Sequence, residues 1–525
     1  MKDHKEVSFR DLIELMAGEA PERKVFYDGD TPYTWDEMDS CATKVAQELL
    51  NSGIRKGSHA GLYGVNSADW IVVFFALQKL GAICILLNPN LRPKELASHS
   101  DIADIEFLCF GGSQVIKDTE SFITEVKSVE NCRIKQFIDI KGMAGKRAEG
   151  SDRKLMYKAL PKGPEPDDPA LMLFTSGSTG RPKCALLSAY NVLVAAGESR
   201  DSQRLTAEDR TCLILPLFHI FGLVAGLFAN MLGGSLMFLP KDMHAATLIE
   251  LIDREKCTVF HAVPTMMLML LKNKTFSPER VSSVRCTILS GAAATPEQIE
   301  RFHEAMPNDN FLSAYGLSES APATTLPYGD TLENCITTVG RPMKHIKLMV
   351  QDPESGKECA PGQTGEILLR GDNLMTGYYR VRIEDQSIDG DGWLHTGDLG
   401  YMREDGYLCF SGRLKELIIR GGENIMPQDV ADAVSLIPGV LDVRVVGVKS
   451  DFYGEEVCAC IRLEEGASFD KEKAEEFLKE HIAQFKIPSY YLFFKEFPVL
   501  ATGKVDMVSL KKEAAVQCEK EQKDR

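Results

Sequence analysis

With 525 residues, 44% of them hydrophobic, the chain is longer than one ordinary core needs and carries ample apolar material for two or more domains. A net charge of -16, with no basic stripe interleaved with aromatics, argues against nonspecific nucleic-acid binding. Residues 1–6 are polar with no apolar run behind them, which argues against secretion, and fourteen cysteines spread singly predict buried reduced thiols in a cytoplasmic protein, without disulfides or zinc.

In chain order, residues 9–47 read as helix interrupted by a hairpin at 25–34, whose turn is Asp28-Gly29-Asp30. A strand at 59–63, a helix at 67–80, a strand at 83–87 and a helix after Pro93 follow, with further strands at 105–110 and 134–138. Strands separated by helices of this length predict parallel pairing in a layered α/β fold. Residues 141–168, rich in Lys, Gly and Pro, read as an exposed connection. Two apolar stretches invite a membrane reading. Gln78, Lys79 and Gly81 break the one at 71–87, and Pro216, His219 and several glycines interrupt the uncharged run 211–240, so no transmembrane segment is expected. That leaves room only for peripheral membrane contact. The run 211–240 reads as a loop, a buried helix and a strand lining an interior cavity.

At 175–183 stands Thr175-Ser176-Gly177-Ser178-Thr179-Gly180-Arg181-Pro182-Lys183, a stretch suited to holding phosphate: glycines admit a close anion, and hydroxyls, backbone N–H groups and Lys183 donate to it. It does not fit the Walker pattern, because Lys183 follows a proline and 184–187 reads as a strand where that pattern wants a helix. The plain alternative is a glycine-rich surface turn. Beyond it, strands at 212–215, 235–238, 259–263, 286–290 and 311–314 alternate with helices, and two of them end in the small-residue turns 290–294 and 314–319. Ligands bind beyond the carboxyl ends of such strands, so these turns are expected to converge on one crevice. Residues 346–410, with short β runs and many glycines, predict a small β subdomain. The final stretch predicts an α+β unit: helix 427–436, strands 443–448 and 457–463, helix 471–482, strand 490–494 and a terminal helix after Asp506. Its last residues, 511–525, read as a solvated, charge-rich tail.

Seven stretches, taken in order, resemble the motifs of the adenylate-forming (AMP-binding) enzymes, a family that includes acyl-CoA synthetases, aryl-CoA ligases, firefly luciferase and the adenylation domains of peptide synthetases. They are TSGSTGRPK at 175–183, PLFHIFG at 216–222, SGAAA at 290–294, YGLSES at 315–320, GWLHTGDLG at 392–400, SGRLKELIIRGGENIMP at 411–427 and TGK at 502–504. The resemblance spans about residues 9–510. It implies a large N-terminal AMP-binding domain, residues 1–412, of layered α/β subdomains plus the small β subdomain, followed by a small mobile α+β domain, residues 413–525, with a hinge near Lys415. It implies an ATP-dependent acid–thiol ligase that converts a carboxylic acid to acyl-AMP with release of pyrophosphate and then to a CoA thioester. ATP, Mg²⁺ and coenzyme A are the expected cofactors and co-substrates.

The resemblance also implies residue roles. Thr175, Ser176, Gly177, Ser178, Thr179, Gly180 and Lys183 would cradle the departing phosphates, and Glu319 would hold Mg²⁺, which prefers hard oxygen. Gly291, Ala292, Ala293, Ala314 and Gly316 would form the adenine slot, with Tyr315 stacking on the base and Ser318 keeping a hydroxyl usual at its position. For these small residues, close helix–strand packing is the alternative. Asp398 would accept from the ribose hydroxyls, and Arg413 would contact ribose and phosphate. Lys504 would neutralise charge where carboxylate and α-phosphate join. His219 would wall the acid pocket, its alternative being a satisfied core histidine. Rotation about Lys415 would then bring Gly421 and Gly422 to line the thiol's tunnel. Cys184 and Ala189 depart from the family's usual glycine and histidine, and Cys184 adds bulk beside the phosphate loop. The motif at 216–222 carries no carboxylate to pair an ammonium group, and its apolar neighbours favour a short- to medium-chain fatty acid or an aryl acid. Rival readings are a noncatalytic nucleotide-binding regulator with the same fold, a luciferase-like oxygenase, or another adenylating ligase.

Overall fold

The computed structural model describes residues 7–113, 115–148, 150–175, 182–292, 294–306, 310–421, 423–450, 452–500 and 504–524, and the side chains of all of these except 150–154, 424 and 521–524. The first elements follow local capping chemistry. Ser8 with Asp11 and Thr34 with Glu37 form reciprocal caps that start the helices Phe9–Glu19 and Trp35–Asn51. Between them the strands Lys24–Asp28 and Thr31–Thr34 pair as the expected hairpin.

Two large sheets carry the N-terminal part. In one, seven strands run in the order Gly377–Tyr378, Lys183–Ser188, Pro169–Thr175, Ile83–Leu87, His59–Gly64, Phe107–Gly111, Gln136–Asp139. The strands joined through helices are parallel, and Lys183–Ser188 returns antiparallel on Pro169–Thr175. The other has nine strands, with a parallel centre from Asn310–Leu317 through Cys286–Leu289, Val259–Phe260, Arg210–Cys212 and Leu236–Leu239 to Lys24–Asp28. The helix Ala68–Leu80 is buried on every side, in a core that takes Leu62 and Leu171 from one sheet and Phe26 and Met237 from the other. Burial on all faces explains why this helix is apolar throughout.

Its one cation is satisfied inside. Lys79 Nζ lies 2.8 Å from Asp39 Oδ1, 2.9 Å from Glu14 Oε1 and 3.2 Å from the Tyr157 hydroxyl. Breaking such a buried pair from one side typically costs about 3–5 kcal/mol, so the cluster ties four helices together. Tyr157 belongs to a segment read from sequence as an exposed connection. That expectation is corrected: 141–168 contains a short turn, Met143–Gly145, and a helix, Gly150–Ala159, with Ala144, Ala148 and Leu160 buried. The Lys/Gly/Pro composition hid a few well-placed apolar residues. The uncharged run 211–240 folds as expected into a loop, the buried helical stretches Gly222–Phe228 and Ala229–Gly233, and the strand Leu236–Leu239. Among the described residues no helix is long and apolar enough to cross a membrane.

The predicted β subdomain is a four-stranded antiparallel sheet of Ile346–Gln351, Gly365–Gly371, Leu394–Met402 and Leu408–Arg413. Immediately after Arg413, the turn Leu414–Glu416 leads into a separate five-stranded sheet carrying Pro427–Ser435, Lys471–His481 and Met507–Asp524. The terminal helix is not wholly solvated, as the charge-rich tail suggested. Leu510, Ala514 and Cys518 face Val446, Val448 and Leu492 of that sheet, so its charges occupy the other faces. The C-terminal unit is fastened to the N-terminal one through the helix Pro296–Ala305: Gln298 Nε2 donates to Asp442 Oδ1 at 3.1 Å, and Arg301 pairs with Glu464 at 3.2 Å.

Candidate active site

The phosphate-type loop is the connection of a β-hairpin. Pro169–Thr175 enters it and Lys183–Ser188 leaves it antiparallel, with Thr175 opposite Lys183. Ser176, Gly177, Ser178, Thr179 and Gly180 lie outside the described residues. A strand follows the loop, as the sequence indicated, and the next helix begins only at Ala189, capped by Ser188. Cys184 is buried in the same apolar cluster as Tyr63, Ile85 and Met172, where burial pushes its thiol up and leaves it inert; residues 176–181 of the loop it follows lie outside the described residues.

Lys183 and Glu319 meet on a residue to which the sequence had given no role. Lys183 Nζ sits 4.7 Å over the ring of Tyr378 and donates to the Asp385 carbonyl at 3.2 Å. The Tyr378 hydroxyl donates to Glu319 Oε1 at 2.8 Å. The other carboxylate oxygen of Glu319 has no hydrogen-bond or ion-pair partner among the described residues.

The strands Cys286–Leu289 and Asn310–Leu317 lie side by side, and Ser290 Oγ donates to the Ala314 carbonyl at 2.7 Å, joining the two small-residue stretches as expected. Ala314 to Gly316 is corrected from turn to strand: it continues its strand, shifts register between Tyr315 and Gly316, and pairs with Ala321–Thr325. Gly316 is required there because a Cβ would stand 2.2 Å from the Ala321 carbonyl oxygen. Ser318 follows in the bend, partly exposed. Ala292 is exposed beside Gly291, and Ala293 lies outside the described residues.

Tyr315 turns its hydroxyl to Asp398 Oδ2 at 2.9 Å, and its ring tilts against Phe410 at 5.8 Å with 7% of the residue exposed. The bond to Asp398 fixes the hydroxyl end of the ring. Arg413 Nε approaches Asp398 Oδ1 at 3.2 Å, and the two residues are cross-strand partners. Burial pushes the Asp398 carboxyl up, and the Arg413 charge and Tyr315 hydroxyl oppose it.

His219 sits in the loop after Arg210–Cys212, held from outside by Asn66, whose side chain donates to the Leu215 carbonyl at 2.8 Å and accepts from Leu217 N–H at 2.9 Å. Asn66 is a second participant the sequence reading missed, since no local pattern links positions 151 residues apart. Burial lowers His219 to about 3, with the Lys504 charge adding to the effect, so its imidazole is neutral. Its Nδ1 accepts from the Phe221 N–H at 3.4 Å.

Lys504 comes from the C-terminal unit yet reaches this crevice. A Cβ on Gly291, whose φ is +86°, would lie 3.0 Å from Lys504 Cε and 3.5 Å from Nζ. Burial, and then the nearby Arg413 charge, lower the Lys504 ammonium to about 8. Lys504, His219, Gly291 and Arg413 are thus brought together, and the Asp398 carboxylate in turn feels Glu319. Lys415 is exposed in its turn, outside this group. Gly421, with φ +59°, donates its N–H to the Tyr453 carbonyl at 2.8 Å, and Gly422 lies outside the described residues.

The role that the resemblance implies for Lys504, a charged group acting in adenylate formation, carries a pH signature. The free enzyme's kcat/KM for pyrophosphate exchange is expected to hold steady up to about pH 8 and to fall about tenfold per unit above it, since the ammonium is lost as pH rises through its lowered pKa. The residual activity of a Lys504→Ala variant should lack that alkaline limb; a limb that persists there belongs to another group.

Comparisons with known proteins show the family and the fold of the chain. The AMP-binding enzyme family model matches residues 13–379, and the AMP-binding enzyme C-terminal domain matches 429–504. The putative acyl-CoA synthetase YngI of Bacillus subtilis (strain 168) is 32% identical, over 95% of this chain and 96% of its own length. The mitochondrial medium-chain acyl-CoA ligase ACSF2 of Homo sapiens is 31% identical, over 95% and 86%. Among solved structures, o-succinylbenzoate CoA synthetase (MenE) from Bacillus subtilis with its acyl-adenylate OSB-AMP superposes with a TM-score of 0.81 at 27% identity, covering 95% of this chain and 97% of that one. ATP-bound MatB from Rhodopseudomonas palustris shares the fold at a TM-score of 0.84 and 24% identity, covering 96% and 99%. With a large domain ending its match before the four-stranded sheet is complete, a small one supplying Lys504, and relatives of nearly equal length, the chain belongs to the AMP-binding enzyme family, on its acyl-CoA synthetase branch.

Proposed function

We propose that the acid taken by this AMP-forming acid–thiol ligase is hydrophobic and lacks an ammonium group, a short- to medium-chain fatty acid or an aryl acid. The enzyme uses ATP to make an acyl-adenylate and CoA to receive the acyl group. Phe218, Ile220, Phe221 and Leu223 flank His219 in the chain, and the helix Pro264–Leu271, which shares a buried cluster with Phe221, is apolar, so an ammonium group there would stay unpaired. The observation that carries the mechanism is Lys504 lying against Gly291 beside His219 and Arg413.

In the first step a carboxylate oxygen of the acid bonds to the α-phosphorus and the bond to pyrophosphate breaks. Lys504 would meet the oxygens on which charge gathers, and Lys183 with the 176–180 loop would take the departing phosphates. Asp398 and Arg413 would hold the ribose, with Tyr315 fixing the carboxylate. Gly291, Ala292, Ala314 and Gly316 would leave a flat slot for adenine, and Ser318 would stand beside Glu319. The Glu319 oxygen that has no partner among the described residues fits Mg²⁺, which binds through one or two carboxylates and completes its shell with phosphate and water. Bound there, Mg²⁺ would neutralise charge on the triphosphate. Neutral His219 would wall the acid's side of the pocket.

In the second step the CoA sulfur bonds to the acyl carbon, the thiol proton leaves, and AMP departs. Lys504 obstructs that approach, so the division at 412/413 is read as two bodies, 1–412 and 413–525, that reorient about Lys415 and bring Gly421 and Gly422 to the thiol's route. Fourteen free cysteines, twelve of them buried, support a reducing compartment such as the cytoplasm. A nucleotide-binding regulator would have no use for Lys504 in this place.

Thioester formation across a panel of acids tests the substrate class. Hydrophobic acids without an amino group are expected to be used, and their α-amino counterparts to fall by about 10²-fold or more in kcat/KM, the scale of leaving a buried polar group unpaired. Equal use of both would refute it.

A further inference from the structure

Tyr378 stands between the two groups assigned to the triphosphate. Its two-residue strand, Gly377–Tyr378, adds antiparallel to the edge of Lys183–Ser188, which sets the tyrosine against the exit of the phosphate loop. Its backbone is clamped on both sides by one side chain: its N–H donates to Gln386 Oε1 at 2.7 Å and its carbonyl accepts from Gln386 Nε2 at 2.9 Å. The ring therefore has a fixed seat. Lys183 Nζ lies 4.7 Å over that ring, and the hydroxyl holds Glu319 Oε1 at 2.8 Å.

A mobile lysine and a nearby carboxylate would gain by pairing with each other, which would spend both charges before a nucleotide arrives. Among the described residues Lys183 and Glu319 form no ion pair; each is bound to Tyr378 instead. A cation over a ring face and a carboxylate on the phenol are both favourable contacts, and both leave the charges themselves intact. Hydrogen-bonded partners of a metal's carboxylate fix its orientation and are worth about 10- to 100-fold in metal affinity.

We propose that Tyr378 is a positioning residue that keeps Lys183 and Glu319 apart and oriented, so that a magnesium–triphosphate meets both at once. The proposal rests on the reading of Glu319 as the metal carboxylate, and its test separates the two. Calorimetric titration of the full-length protein with ATP, in excess Mg²⁺ and in EDTA, is run on the wild type, Tyr378→Phe, Tyr378→Leu and Glu319→Gln, with unfolding midpoints recorded for each. Tyr378→Phe keeps the ring under Lys183 and frees Glu319, with the longer Ser387 contact at 3.4 Å lost as well, so it is expected to weaken binding of magnesium–ATP by about 10- to 100-fold while leaving metal-free ATP unchanged. Tyr378→Leu, which also unseats Lys183, is expected to weaken both. If Glu319→Gln loses the magnesium-dependent gain and Tyr378→Phe keeps it, or loses affinity equally with and without metal, the role of Tyr378 is overturned alone. If Glu319→Gln keeps the gain, the metal reading and the proposal fall together.

Discussion

Lys504→Ala is expected to slow acid-dependent ATP–pyrophosphate exchange by about 10²–10³-fold, the scale set by removing one preorganised charge from the atoms where transition-state charge develops. The argument rests on place. Lys504 is carried by a different structural unit from Gly291, His219 and Asp398, yet its side chain lies along Gly291 and its charge is felt by His219. Burial and the Arg413 guanidinium already disfavour its ammonium, so the protein tolerates an unfavourable charge there before any anion arrives. An incoming phosphate would reverse that balance and hold the lysine charged. Because the second step needs this position cleared, the same variant should convert supplied acyl-adenylate and CoA to thioester at close to the wild-type rate. Equal loss of both half-reactions would show that the substitution damages the fold or the nucleotide site in general.

Lys415→Pro is expected to do the opposite. The turn Leu414–Glu416 is a 3-10 turn, whose φ is close to the value proline imposes, so the arrangement with Lys504 in the crevice should survive the substitution. A reorientation that changes the backbone at 415 would not. Thioester formation from supplied adenylate is therefore expected to fall on the order of 10²-fold, the cost of misplacing a reacting group, with pyrophosphate exchange nearly unchanged. Thioester formation at the wild-type rate would move the hinge away from Lys415.

The regular elements were legible in the sequence because period and capping are local properties. The hairpin at Lys24–Asp28 and Thr31–Thr34, the strands His59–Gly64 and Ile83–Leu87 and the strand at Lys183–Ser188 stand where their patterns placed them, whereas the strand expected at 212–215 lies at Arg210–Cys212. The segment 141–168 was misread because its composition is that of a loop, while its packing is decided by two helices sixty or more residues earlier: Ala148 bonds with Ser40 of Trp35–Asn51, and the Ala144 N–H donates to Asp69 of Ala68–Leu80. Ala314 to Gly316 was misread for the converse reason: small residues suggested a turn, but the pairing with Ala321–Thr325 across a bulge keeps it extended. At the site, the residues that carry charge and stand in recognisable motifs could be found, whereas Tyr378 and Asn66 act through partners 59 and 151 residues away, and no local pattern shows such a contact. The terminal helix joins both lessons, since its charges were legible and its buried stripe of Leu510, Ala514 and Cys518 depended on a sheet formed elsewhere.

The central claim is that one crevice makes the adenylate under Lys504 and then passes it to CoA without that lysine. A single-turnover experiment measures both halves on the same protein: exchange of labelled pyrophosphate into ATP with a hydrophobic acid and no CoA, then thioester release when CoA is added to the isolated enzyme–adenylate complex. The account predicts acid-dependent exchange without CoA in the wild type, its loss in Lys504→Ala, and undiminished thioester release when that variant is loaded with synthetic acyl-adenylate. Exchange that requires CoA, or a Lys504→Ala variant that exchanges normally and fails only with CoA, would contradict it.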